Sequence, residues 1–166
     1  MTAAAVSGDE ARRVAARALA SGMADDEFAR ACGRLLDPLR IHAPDGRTAG
    51  WMVPIELDGA LLGFVQVQAD GKFHRYAAFQ RRPGATEGCP AAAAWLDEAT
   101  ITDRARTVTG PSDRLSPPVL TYDASPDRLA WAIRVVSPEG KRSTVFVAGD
   151  SAWTSVASTM RDGPPG

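Results

Sequence analysis

Two Asp-Gly pairs, Asp58-Gly59 and Asp70-Gly71, constrain the fold of this chain more than any other feature of its sequence. Each pair separates runs in which apolar and polar residues alternate. Asp-Gly suits a two-residue type I′ turn, because both turn positions need positive φ. The runs 51–57, 60–69 and 72–80 are therefore predicted to form a three-stranded antiparallel meander.

Two-residue turns also predict which residues lie opposite each other across the strands. Around the first turn, Val53 is expected opposite Phe64, and Ile55 opposite Leu62. Around the second turn, the expected pairs are Phe64 with Ala77, Gln66 with Arg75 and Val67 with His74.

The predicted register separates two faces of the meander. One face runs from Trp51 to Phe79 and is expected to pack on the core. The other is expected to face outward, although several of its side chains are apolar for a solvated surface. We take this outer face as a candidate binding surface, with the residues Val65, Val67, His74 and Tyr76.

Helical spacing and capping residues predict three helices. Ser7 and Glu10 form a capping box, and Gly22 is a plausible end for the first helix. A second helix is expected within 25–39, with an apolar stripe of Phe28, Cys32, Leu35, Leu36 and Leu39. A weaker pattern places a third helix within 91–108.

Strand patterns return at 119–123, 129–136 and 141–148. The residues 62–79 can be laid over 129–147, so that Leu62 falls on Leu129, and a helix precedes each of these segments. We therefore expect an α+β protein of two related units, each helix-strand-strand-strand, at 1–82 and 91–157, followed by a flexible tail at 158–166. Whether the halves form one sheet or two stays open.

The second half resembles the PepSY-type module of thermolysin-like protease propeptides. The residues that carry the resemblance are Leu129-Ala-Trp131, Pro138-Glu-Gly140 and Val145-Phe-Val147. The following Ala148-Gly-Asp-Ser151 departs from the acidic residue and Thr-Gly turn common in that family. The resemblance implies a helix packed across a curled antiparallel sheet, close to the cystatin-like shape. It also implies a peptidase inhibitor or another non-catalytic binding protein.

Charge and composition exclude several classes of function. Lys and Arg total 19 against 20 Asp and Glu, so the net charge is −1, which argues against nucleic-acid and anionic-membrane binding. With 2 His, 2 Cys and no nucleotide-binding or metalloprotease motif, we expect no cofactor and no metal site. No apolar run follows Arg12-Arg13, which favours a cytoplasmic protein, with an exported mature form as the alternative. Cys32 is expected to be buried on a helix, and a Cys32–Cys89 disulfide stays open.

The sequence leaves three functions to compare. The first is a protein- or peptide-binding module that uses the outer sheet face, with a second copy of the chain as one candidate partner. The second is a small enzyme or ligand carrier with a cavity between helices and sheet, lined by Gln66, Gln68 and Arg75. The third is a subunit of a larger assembly. Trp153, beyond the last predicted strand, is a further candidate contact residue.

Overall fold

A computed structural model describes residues 3–155 as an α+β architecture, which confirms the predicted fold class. The helices in this range are α1 (Gly8–Ser21), α2 (Glu27–Cys32), α3 (Ala92–Leu96) and α4 (Glu98–Arg106). One antiparallel sheet contains β1 (Arg34–Leu35), β2 (Leu39–His42), β3 (Thr48–Leu57), β4 (Ala60–Gln68) and β5 (Phe73–Ala78). The other contains β6 (Arg114–Leu115), β7 (Val119–Tyr122), β8 (Leu129–Val136), β9 (Arg142–Ala148) and β10 (Ser151–Ser155). The predicted tail at 158–166 lies outside the described residues.

The meander predicted from the Asp-Gly pairs is confirmed, because β3, β4 and β5 pair in antiparallel order. In the first turn, Asp58 has a φ of 51° and Gly59 a φ of 81°, as a type I′ turn requires. Beyond this turn the hairpin contains a bulge, since Leu62 has no partner on β3 and Val53 pairs with Val65. The expected pairs Val53–Phe64 and Ile55–Leu62 are therefore wrong.

In the second turn, Gly71 has a φ of 89° and its Asp neighbour keeps a negative φ. The turn is therefore not the expected two-residue type I′ turn, and Val67 pairs with Phe73 instead of His74. The other two expected pairs are confirmed, namely Phe64 with Ala77 and Gln66 with Arg75.

Helix α1 covers a face that joins β4 residues of the predicted outer face to β3 residues of the predicted core face, because the bulge in the first hairpin shifts the register by one residue. Ser7 caps this helix by accepting a hydrogen bond from the Glu10 amide, as predicted. Val65 and Val67 are both 0% exposed and pack in a cluster with small residues of α1 such as Ala11. The expectation that these valines form an outward apolar surface is wrong, because alanines let the helix lie close against the sheet.

The predicted second helix ends early. Helix α2 stops at Cys32, and two residues of the stripe beyond it lie on strands, with Leu35 opposite Ile55 and Leu39 opposite Met52. A Cβ at Gly33 would lie 2.4 Å from Cγ2 of Ile55, so the chain turns where no side chain fits. Cys32 is exposed, which corrects its expected burial, and both cysteines are free thiols.

The second half contains the predicted strands and two that were not predicted, β6 and β10. The predicted third helix is divided into α3 and α4 at Asp97. The Asp97 carboxylate caps α4 by accepting from the Thr100 amide at 2.9 Å. Gly149 and Asp150 separate β9 from β10, so Trp153 lies on a strand.

The pairings around β3 recur around β8 when the sequence is overlaid on itself with Arg34 on Arg114. We call positions that this overlay relates equivalent positions. Helix α1 contacts β3, β4 and β5, and α4 contacts β8, β9 and β10. The expected overlay of Leu62 on Leu129 places β4 on β8 and does not reproduce these pairings. The matching pairs are Arg34–Glu56 and Arg114–Val136, Leu39–Met52 and Val119–Ala132, and Trp51–Val67 and Trp131–Val147.

The two sheets meet at β2 and β7, where Oγ1 of Thr121 donates to the His42 carbonyl at 2.6 Å. A shared apolar cluster lies between them, with Met52 and Phe64 from the first sheet and Leu120 and Leu129 from the second. The first sheet thus has α1 on one face and the second half of the chain on the other.

Candidate functional site

Gln66 and Arg75, the predicted pocket residues, contact the turn between β7 and β8. Gln66 Nε2 donates to the Pro126 carbonyl at 3.1 Å, and its Oε1 accepts from Arg75 Nε at 2.8 Å. Arg75 Nη2 donates to the Asp127 carbonyl at 2.8 Å. Gln66 is 7% exposed. These side chains join the two halves of the chain, and their hydrogen bonds do not converge on a cavity between a helix and the sheet.

His74 lies at the rim of this junction. Its Nε2 is 2.9 Å from Oδ1 of Asp127, and Arg75 Nε is 3.5 Å from the same oxygen. The hydrogen bond with His74, together with the Arg75 charge, lowers the pKa of Asp127. A depression of about 440 Å³ beside His74 is also lined by Gln66, Gln68 and Pro126.

Tyr76 holds α2 in place. Its hydroxyl donates to Oδ2 of Asp26, and Gln80 Nε2 donates to the same oxygen at 2.6 Å. Oδ1 of Asp26 accepts from the Ala29 amide at 2.9 Å and caps the helix. Burial, followed by the hydrogen bond to Asp26, raises the pKa of Tyr76. The tyrosine thus has a fixed partner within the chain.

Within residues 3–155, a different sheet face is left uncovered, and it belongs to the second half. One row of side chains crosses β7, β8, β9 and β10 on this face, because residues opposite each other share a face. Val119 is 43% exposed, and Phe146 and Trp153 are half-buried and stack with ring centroids 5.9 Å apart. We call this surface the open face, and its row consists of Val119, Ala132, Phe146 and Trp153.

The corresponding row of the first sheet is covered. It consists of Leu39, Met52, Gln66 and Arg75, and it packs toward the second half of the chain. Met52 is 0% exposed, whereas its counterpart Ala132 is half-buried. The same face is thus an internal interface in one half and a surface in the other.

Three arginines form one end of the open face, which we call the basic end. Arg114 and Arg142 each lie opposite Val136, one on either side of it. Val136 is two residues after Arg134 on β8, so all three arginines lie on the same face. All three side chains are exposed, and none makes an ion pair within residues 3–155. A depression of about 630 Å³ lies here, and Ser116, Thr144 and Ser155 add hydroxyl groups to its lining.

The chemistry of the basic end suits binding. Its lining residues carry guanidinium, hydroxyl and aliphatic groups, and guanidinium stays protonated at neutral pH. The described lining residues therefore offer hydrogen-bond donors for an anion. Within the described part of the chain, no three His, Cys, Asp or Glu side chains lie together as metal ligands would.

Sequence reasoning identified Trp153 and missed the rest of the open face. The segment Val145-Phe-Val147 did contain a signal, because side chains alternate along a strand and Phe146 must therefore point to the other face of the sheet from the two valines. The strand β10 was not predicted, so the pairing of Phe146 with Trp153 could not be foreseen. The coverage of each face also depends on packing between the halves, which strand alternation does not report.

No family model matches this chain, and neither the curated proteins nor the solved structures contain a match to it. None of the helices within residues 3–155 combines the length and apolar character needed to cross a membrane.

Proposed function

We propose that this chain is a non-catalytic binding protein that holds a peptide segment of another protein on the open face. The observation that carries the proposal is the apolar row from Val119 to Trp153, which crosses four strands. Its counterpart in the first half is buried against the rest of the chain. An apolar sheet face of this kind is stabilised when a partner removes it from water.

The proposal includes two copies of one PepSY-like, cystatin-like module in tandem. The constant spacing between matching strand pairs supports this interpretation. So do the residues of the second half that carry the PepSY resemblance. Trp131 and the segment Val145-Phe-Val147 have register counterparts in Trp51 and the segment Val65-Gln-Val67.

A matched pair of substitutions tests the surface. Val119→Asp places a charge in the apolar row, and Val108→Asp places one at a residue just after α4 that is 42% exposed, against 43% for Val119. Random peptides displayed on phage are selected on the unaltered protein. Enriched peptides are expected to lose binding to Val119→Asp and to keep binding to Val108→Asp.

Other outcomes contradict the proposal. Selection without enrichment, or enriched peptides that bind Val119→Asp as well as the unaltered protein, would exclude the open face as a peptide site. Analytical ultracentrifugation tests whether a second copy of the chain occupies the open face instead. A dimer that Val119→Asp dissociates would show that a second copy of the chain covers this face, in place of a foreign peptide.

A further inference from the structure

We infer that the segment bound on the open face is acidic and that its carboxylates pair with the basic end. This inference rests on the proposed function and specifies the chemistry of the partner. It follows from a comparison of one arginine position in the two halves.

The first half supplies its own carboxylate at this position. Arg34 lies opposite Glu56, and Nη2 of the arginine is 3.3 Å from Oε1 of the glutamate. At the equivalent positions of the second half, Arg114 lies opposite Val136. The guanidinium is therefore retained in the second half, and the carboxylate that pairs with it is replaced by an aliphatic side chain.

The neighbouring positions add charge to the second half. Arg134 occupies the position equivalent to Pro54. Arg142 lies opposite Val136, as Leu61 lies opposite Glu56 in the first half, and neither Pro54 nor Leu61 carries a charge. The basic end thus gathers three guanidinium groups on one face, while the corresponding part of the first half has one that is already paired. Guanidinium groups form strong, directional hydrogen bonds with carboxylates, so a bound acidic residue would restore the missing partner.

The net charge of the chain and the apolar row beside the three arginines favour a peptide over a nucleic acid as the ligand. The whole chain has a net charge of −1, so it does not attract a polyanion at long range. The three arginines adjoin the row of Val119, Ala132, Phe146 and Trp153 and do not form a long basic stripe. A segment with carboxylates at one end and apolar side chains at the other complements both parts of the face.

The peptides selected above test this inference separately from the proposed function. Their composition is expected to contain more Asp and Glu than the starting library. A selected peptide with Glu replaced by Gln is expected to bind roughly tenfold more weakly in fluorescence anisotropy, a difference that shrinks as salt is raised. Enriched peptides without an acidic excess would overturn the inference and leave peptide binding on the open face intact.

Variants of the protein locate the effect. Arg114→Gln and Arg142→Gln are expected to reduce the preference for Glu over Gln, and Arg30→Gln on α2, an exposed arginine, serves as the control. Val136→Glu recreates the Arg34–Glu56 arrangement and is expected to abolish acidic-peptide binding while the protein stays folded by circular dichroism. If all of these variants keep the preference for Glu over Gln in the peptide, the basic end does not bind the acidic residues.

Two further probes separate other anions from an acidic peptide. Inorganic phosphate and a short single-stranded RNA are added as competitors. Competition that requires a large excess of either supports a peptide partner. An RNA that binds more tightly than the selected peptides, with the same dependence on Arg114 and Arg142, would assign the basic end to nucleic acid instead.

Discussion

The indole nitrogens of Trp51 and Trp131, at equivalent positions in the two sheets, each donate to a backbone carbonyl just ahead of the helix that packs on their own sheet. Nε1 of Trp51 is 3.0 Å from the Val6 carbonyl, shortly before α1 begins at Gly8. Nε1 of Trp131 is 2.9 Å from the Trp95 carbonyl, shortly before α4 begins at Glu98. Each tryptophan thus connects the central strand of its sheet to the start of the covering helix.

Replacement of either tryptophan by phenylalanine is expected to loosen one helix and not the other. Trp51→Phe and Trp131→Phe remove the N–H donor and part of a half-buried ring, at a cost of about 1–3 kcal/mol in unfolding free energy. Hydrogen exchange is the measurement. Amides of α1 are expected to lose protection in the first variant, and amides of α4 in the second. Equal loss across both helices in either variant would contradict this assignment.

Asp26 is expected to be the most sensitive carboxylate in the first half. Asp26→Ala removes the cap of α2 and the shared acceptor of Tyr76 and Gln80, so unfolding free energy should fall by about 2–4 kcal/mol. Denaturant titration measures this change. Asp25→Ala, at the adjacent exposed position, is the control and is expected to change stability by less than about 0.5 kcal/mol. Similar losses in the two variants would exclude the role of the Asp26 hydrogen bonds.

The carboxyl group of Asp127 is expected to titrate below its ordinary pKa of 3.8. Since its folded pKa is lowered, its pairing with His74 stabilises the fold above that value and is lost as pH falls through the folded pKa. Carbon-13 NMR of the carboxyl group follows the titration. His74→Ala should move the midpoint up toward the ordinary value, and His42→Ala, at the other histidine, should leave it in place. A midpoint unaffected by His74→Ala would rule out this hydrogen bond as the main cause.

Gly63 is expected to tolerate no side chain. A Cβ there would lie 2.5 Å from the Ala77 carbonyl oxygen and 2.7 Å from the Tyr76 hydroxyl. Gly63→Ala should therefore lower the melting temperature, with a loss of about 1–3 kcal/mol in unfolding free energy. The equivalent position of the second half holds Ser143, and Ser143→Ala is expected to have a small effect. A neutral Gly63→Ala would contradict this expectation, because the Ala77 oxygen belongs to the backbone and would also have to move.

Local chemistry made the hairpins and the first helix predictable. Asp58 and Gly59 adopt the positive φ values that their turn needs, and Ser7 caps α1 with its own side chain. The pairing of Gln66 with Arg75 also followed from the position of the second turn. In each case the determining contacts lie within a few residues along the chain or between adjacent strands.

The candidate site was predictable only in part, because its residues depend on which surfaces are covered. Val65 and Val67 look like a binding surface in the sequence and are buried beneath α1. Val119 and Phe146 look like ordinary strand residues and lie on the open face. Trp153 was identified because a large aromatic residue beyond the predicted strands suggested an interface.

The sequence by itself determined the α+β class, the meander and the capped first helix, because turns, caps and alternation act over short distances. Tertiary structure decided the rest. The bulge at Leu62 and the formation of strands instead of a helix after Gly33 both depend on pairing with β3 and β4. The contact between the two halves at β2 and β7 depends on how the two sheets pack. That last contact buries one sheet face and, within residues 3–155, leaves the corresponding face of the second sheet uncovered, because coverage depends on long-range packing between the halves and not on the alternation of either strand alone.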